Sequence, residues 1–162
     1  MSACSAVALL ALAAACSGGG GGPTKAEFVR NANAVCRQSA AKISVLRIPG
    51  RADVASMPAI AADVVAVQRK ALDRLRALPE PKQDRSEITK WIALVDQTID
   101  QAEVSAESQR KGNIARALTA NVNGAALDRR ADDLARSYGL VTCVQATTAP
   151  PTTTTTTTKA GA

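Results

Sequence analysis

The chain has 162 residues, a formal net charge of +6, no histidine and three aromatic residues, Phe28, Trp91 and Tyr138. The missing imidazole excludes Ser-His-Asp and Cys-His catalysis, c-type haem attachment and most zinc and copper sites. The mild basic excess favours anionic surfaces such as phospholipid head groups or acidic envelope polymers, and it is equally the sign of an arginine-rich solvated surface.

The N-terminus reads as a targeting segment. Residues 6–15 form an apolar run of ten, AVALLALAAA, half of what a membrane-spanning helix needs. A short apolar run ending in small residues is the signature of a cleaved signal peptide. Cys16 follows directly, then Ser17 and the run Gly18 to Gly22. This arrangement resembles a bacterial lipoprotein signal, which implies cleavage before Cys16 and acylation of that residue. Ala14 and Ala15 fit the small positions of such a signal. Ala13 stands where leucine is common, and no Lys or Arg precedes the run. A misplaced start codon would explain the second departure. Two other readings stay open: plain cleavage that releases a secreted protein, and a buried N-terminal helix, which the glycine linker disfavours.

Residues 24–146 read as one helical domain. Thr24 and Glu27 form a capping box that opens the first helix, with apolar residues at Phe28, Ala32, Val35, Ile43 and Leu46 and small ones at Ser39 and Ala40. Pro49-Gly50 stops it. Ser56 is placed to cap a second helix with Pro58 in its first turn, its stripe running Ile60, Val64, Val67, Ala71, Leu75 and Leu78. Pro79 and Pro81 break the chain. A third helix starts near Asp84, with Ile88, Trp91 or Ile92, Val95, Ile99, Ala102 and Ala106 on one face. Asp84 and Glu87 at its start and Arg110 and Lys111 at its end suit the helix dipole. Gly112-Asn113 ends it and caps a fourth, whose stripe is Ala117, Ala120, Gly124, Leu127, Ala131, Leu134 and Tyr138. Gly139 and Leu140 then fit a left-handed C-terminal cap with its apolar partner.

Four helices joined by short breaks predict an all-α, up-down four-helix bundle, with the first and fourth helices as antiparallel neighbours. Residues 147–158 hold nine threonines and two prolines. Such a tail, to residue 162, is expected to be disordered, and is also a candidate for O-glycosylation.

Four cysteines are present. With Cys4 inside the signal segment and Cys16 assigned to the anchor, Cys36 and Cys143 remain. In an oxidising compartment they read as one disulfide closing most of the domain. A catalytic redox pair is the sharper reading, but the two are not in a C-x-x-C. Other chemistry is sparse. No phosphate-binding glycine motif opens a helix, so no cofactor is implied. Asp96, Asp100, Glu103 and Glu107 lie on one stripe of the third helix. Carboxylates in a bundle core can hold metals, but that pattern also wants histidine, so a solvated face is expected. Asp132-Asp133 beside Arg129-Arg130 reads as surface ion pairs. Asn31, Asn33, Asn121 and Asn123 lie within helices, where asparagine is disfavoured. They read as surface residues or inter-helix hydrogen bonds, the alternatives being a polar patch between the first and fourth helices or a ligand contact. Arg69, Lys70, Arg74 and Arg76 complement a helix C-terminus, and no aromatic platform accompanies them, so nucleic acid is not expected.

The segments A-E-F-V-R-N-A-N-A-V-C (residues 26–36) and S-Y-G-L-V-T-C (residues 137–143) resemble the ends of small exported helical lipoproteins of actinobacteria, with one cysteine in the first helix and one after a terminal Y/L-G-L. The resemblance spans residues 24–143 and implies a helical domain, a Cys36–Cys143 bridge and an envelope location. It implies no activity and transfers no catalytic residue. The expectation is therefore a non-enzymatic, lipid-anchored module on the extracytoplasmic face of the membrane that binds a protein or an anionic envelope component. The alternatives are a carboxylate-dependent enzyme, which needs a pocket with buried carboxylates, and a carrier of a small apolar ligand, which needs a cavity between helices.

Overall fold

The computed structural model describes residues 22–46 and 56–144. The signal segment, Cys16, Pro49-Gly50 and the Thr-rich tail lie outside them. The described chain forms four helices and no strand: α1 (Lys25–Leu46), α2 (Met57–Arg76), α3 (Arg85–Arg110) and α4 (Ile114–Tyr138). They run up, down, up and down, as the periodicity predicts. No described helix is long and apolar enough to cross a membrane.

The helix ends show how local chemistry sets the boundaries. The Thr24 hydroxyl accepts from the Glu27 N–H at 3.2 Å, and the Glu27 carboxylate accepts from the Thr24 N–H at 2.8 Å. That reciprocal pair holds the Glu27 carboxyl below the usual carboxylate range. At α4 the Asn113 side chain accepts from the Arg116 N–H at 3.0 Å, and Gly112 makes the preceding turn with φ +70°. Gly139 takes φ +97° at the far end, and the Leu140 N–H reaches back to the Ala135 carbonyl at 2.7 Å. Leu140 is then buried, which completes the expected glycine cap.

One expected cap differs. Ser56 holds the N-cap position of α2 in a helical conformation, and its side chain makes no capping bond. Pro58 in the first turn lacks an N–H that would need a cap, so helix entry does not depend on one. Asp84 precedes α3 without capping it; its carboxylate accepts from the Tyr138 hydroxyl at 2.7 Å.

The core gathers Phe28, Val35, Leu72, Leu75, Ile88, Trp91, Ile99, Tyr138 and Leu140 around alanines 32, 131 and 135. One end of the bundle is sealed by Phe28 against Tyr138, edge to face with centroids 6.0 Å apart, and by buried Pro81 and Leu140. The Lys25 ammonium lies 4.0 Å from the Tyr138 ring centre, a cation–π contact. The expected α2 stripe faces inward, with Val64 and Leu75 buried and Ile60, Val67, Ala71 and Leu78 partly covered, and it is widened by buried Val65 and Leu72. Apolar neighbours at 64–65 and 71–72 allow that wider face.

Packing is uneven around the bundle. The α3–α4 contact is the most extensive, then α2–α3, then α1–α2. Small residues make the first possible: Ala106, Ser105 and Ser108 face Ala117 and Ala120 among the buried groups. Gly124 is so close to α3 that a Cβ there would stand 3.3 Å from the Gln101 Cβ. The first half of α1 neighbours α4 as expected, with Phe28 edge to face on Tyr138 and Ala32 and Val35 sharing the core with Ala131 and Ala135, while residues 39–44 border a cleft with Asp128, Ala131 and Asp132. The facing residues, Ser39, Ala40 and Ser44 against Asp128, Ala131 and Asp132, are too small or too polar to fill the space.

Candidate functional site

The gap between α1 and α4 is the candidate site. It is a cleft of about 470 Å³, within the range of small-molecule pockets. Each wall follows from a helix face. α2 and α3 supply the floor, with Leu72, Leu75, Trp91, Val95 and Ile99. α1 supplies Ser39, Ala40 and Ile43. α4 supplies Asp128, Ala131 and Asp132, and the Cys36–Cys143 bridge with Val144 closes one end. Among the described residues no Lys or Arg lines it.

The bridge expected from the sequence is present, with Cα atoms 5.1 Å apart. It is oriented by Asn33, one of the four helix-interior asparagines. Asn33 is buried. Its side-chain amide donates to the Gly139 carbonyl at 3.3 Å, and its carbonyl accepts from the Thr142 N–H at 2.9 Å. Those bonds lay residues 139–143 along α1 and bring Cys143 to Cys36. Asn31, Asn121 and Asn123 are exposed, so no asparagine patch forms between α1 and α4. A bridged pair with Cys143 fixed in this turn serves as a strut at the cleft wall.

Gln68, Thr98 and Asp128 line both the main cleft and a smaller adjoining hollow of about 180 Å³ on the α4 side. Asp128 and Asp132, one helical turn apart, present carboxylates on the same face of α4. Desolvation, then the neighbouring Asp132 charge, raises the Asp128 carboxyl above the usual carboxylate range, against a smaller opposing effect of Arg129. Asp132 is 4% exposed, with Arg136 at 3.4 Å. Its neighbour Asp133 is exposed and pairs with the same Arg136 at 3.3 Å. The reading of Asp132-Asp133 as surface ion pairs thus holds for Asp133 and fails for Asp132. The phase of α4 explains it, since Asp132 follows the seam residue Ala131 and Asp133 points away. Asp128 and Gln68 were not singled out in the sequence, and Asp132 was read only as part of a surface ion pair. The available signal was the i, i+4 spacing of two aspartates beside a seam alanine.

The acidic stripe of α3 is not part of this site. Arg69 from α2 donates to Asp96 at 2.5 Å, to Asp100 and to Glu103 at 2.7 Å, and Arg76 reaches Asp96 at 2.6 Å. Glu107 pairs with Arg110 and with Lys111. The Arg69 hydrogen bond holds Glu103 below the usual carboxylate range, and its partners hold the Arg69 guanidinium firmly charged. The expected solvated face is a solvent-edge clamp between α2 and α3, and Arg69 and Arg76 belong to it.

No protein-family model, no curated protein and no solved structure matches the chain. The site is therefore read from its own chemistry.

Proposed function

We propose that this protein is an extracytoplasmic lipoprotein, held to the membrane by a lipid on Cys16, whose helical domain carries a small, largely apolar ligand in the cleft between α1 and α4. The observation that carries the reading is the cleft itself. Among the described residues a cleft of about 470 Å³ lies beside α1 and α4, with the nearly covered Leu72, Leu75 and Trp91 at its base. The anchor rests on the apolar run at 6–15, the small residues before Cys16 and the likeness of residues 26–36 and 137–143 to actinobacterial lipoproteins. A disulfide in the domain suits an oxidising compartment.

The cleft also meets the requirement set for a carboxylate-dependent enzyme, since Asp128 and Asp132 both line it. Their placement favours binding over catalysis. Paired-carboxylate hydrolysis places its two groups on opposite sides of the bond to be broken, and these two project from one helix on one wall.

Solvent extraction of protein purified from membranes, followed by mass spectrometry, tests the carrier reading. One small molecule per chain is expected in the extract, and its return should quench or shift the emission of Trp91, the single tryptophan. Empty extracts together with a Trp91 spectrum indifferent to apolar additives would refute it. Labelling with a fatty-acid probe tests the anchor separately: wild type should be marked and Cys16→Ser should not.

A further inference from the structure

The charge of the cleft specifies its occupant further, on the reading that the cleft is a binding site. The chain carries 20 basic residues against 14 acidic ones, yet among the described residues the cleft is lined by no basic side chain and by two aspartates, of which Asp132 is paired with Arg136. Gln68, Thr98 and Asp128 form a polar neck shared with the adjoining hollow, whereas Leu72, Leu75 and Trp91 line the main cleft alone. A ligand complementary to such a surface has an apolar body and one polar head, with the head at the neck.

We infer that the head is a cation, so that the cleft receives an organic amine in its protonated form, with the Asp128 carboxylate as its counter-ion. Three classes of head can be compared. A carboxylate or phosphate head would stand against Asp128 with no basic residue in the described lining, and like charges in a partly desolvated site repel strongly. A hydroxyl head could hydrogen-bond with Gln68, Thr98 or Asp128 but would leave the Asp128 charge uncompensated. An ammonium donates charge-assisted hydrogen bonds to the carboxylate, about twice as strong as neutral ones, and offsets the desolvation of Asp128. The cleft thus discriminates against fatty acids and acidic lipids although its floor would accept their chains.

The test uses three probes with one apolar body and different heads: octylamine, 1-octanol and octanoate, each below its micelle-forming concentration. Binding is followed by Trp91 fluorescence at neutral pH in wild type and in Asp128→Asn, with a melting curve to show that the variant is folded. Octylamine is expected to bind wild type about tenfold more tightly than octanol, with octanoate the weakest. The tenfold preference corresponds to one charge-assisted hydrogen bond. Asp128→Asn should bring octylamine down to the level of octanol and leave octanol unchanged. Octanol binding as well as octylamine in wild type, or an equal loss of all three probes in the variant, overturns the counter-ion and leaves the carrier reading standing. Failure of every probe to change the fluorescence overturns both. The wild-type comparison of heads holds even if the variant does not fold.

Discussion

At the scale of single residues, Tyr138 carries an unusual share of the design. Its ring packs on Phe28 and under Lys25, and its hydroxyl crosses to Asp84 at the start of α3. Burial first, then the Asp84 hydrogen bond, pushes the phenol above its ordinary range. A folded-state value raised above the unfolded one means that the native chain holds the phenolic proton more tightly. The associated stability is present below the ordinary tyrosine pKa of about 10 and is lost as pH rises beyond it. Tyr138→Phe should lower stability at neutral pH by about 1 kcal/mol, the typical worth of one such bond. It should also flatten the alkaline fall in stability. Urea unfolding at neutral pH and above pH ~10 checks both, since Tyr138 is the single tyrosine. An alkaline limb of unchanged slope in the variant would assign that limb to other groups. The ring was legible in the sequence as the last residue of the α4 stripe. Its partner was not, because Asp84 already had a sufficient role as an acidic residue at the start of α3, and only the fold brings residues 84 and 138 together.

At the scale of helices, legibility followed the chemistry of the ends and the redundancy of the middle. The Thr24–Glu27 box, the Gly112-Asn113 turn and the Gly139–Leu140 cap are encoded by local spacing and formed as expected. The α2 stripe was read too narrow, because adjacent apolar residues let Val65 and Leu72 join the buried face. The cleft escaped sequence reading altogether. A periodic pattern marks which side faces inward, but not whether the side chains on facing helices have enough volume to meet. The Arg69 clamp escaped for a related reason: four acids on α3 and a basic group on α2 each looked solvated alone. With the helices in register, the single Arg69 cation bonds to three carboxylates, and Arg76 shares Asp96 with it. Arg69→Leu should therefore cost about 1 kcal/mol, reduced from a buried pair's worth because the network is open to water. Glu103 is depressed in the fold, so this contribution is present above the ordinary carboxylate pKa of about 4.3 and is lost as pH falls below it. The gap between variant and wild type should narrow in acid and in high salt. A gap unaffected by either would mean that Arg69 acts through its aliphatic stem.

At the scale of the whole molecule, stability and site share one device. An alanine-rich interior leaves the bundle with few large side chains to bury, and part of the α1–α4 seam is given over to the cleft. The bridge compensates, joining residues 107 apart in sequence, and in the chain-entropy account such a long closed loop gives the larger gains. Cys36→Ser and Cys143→Ser should each lower stability by about 2–4 kcal/mol, with the double variant no worse than either single one. Because both cysteines line the cleft, each variant should also weaken binding of the apolar probes. Chemical unfolding of the three variants, with probe titration on those that fold, checks both parts; additive losses in the double variant would mean that the thiols act separately.

The same bridge decides how the protein answers a pull. Tension applied between the segment leading to Lys25 and the segment following Val144 passes along α1 only as far as Cys36. It crosses the sulfur–sulfur bond to Cys143 and leaves. Everything between the two cysteines in sequence, including α2, α3 and all of α4, lies in a covalent side loop that carries no load. Of the described chain, only the first half of α1, secured by Phe28 and Asn33, would be stretched before the covalent bond took the strain. A domain tethered at one end and tugged at the other would keep the floor and the acidic wall of its cleft in shape.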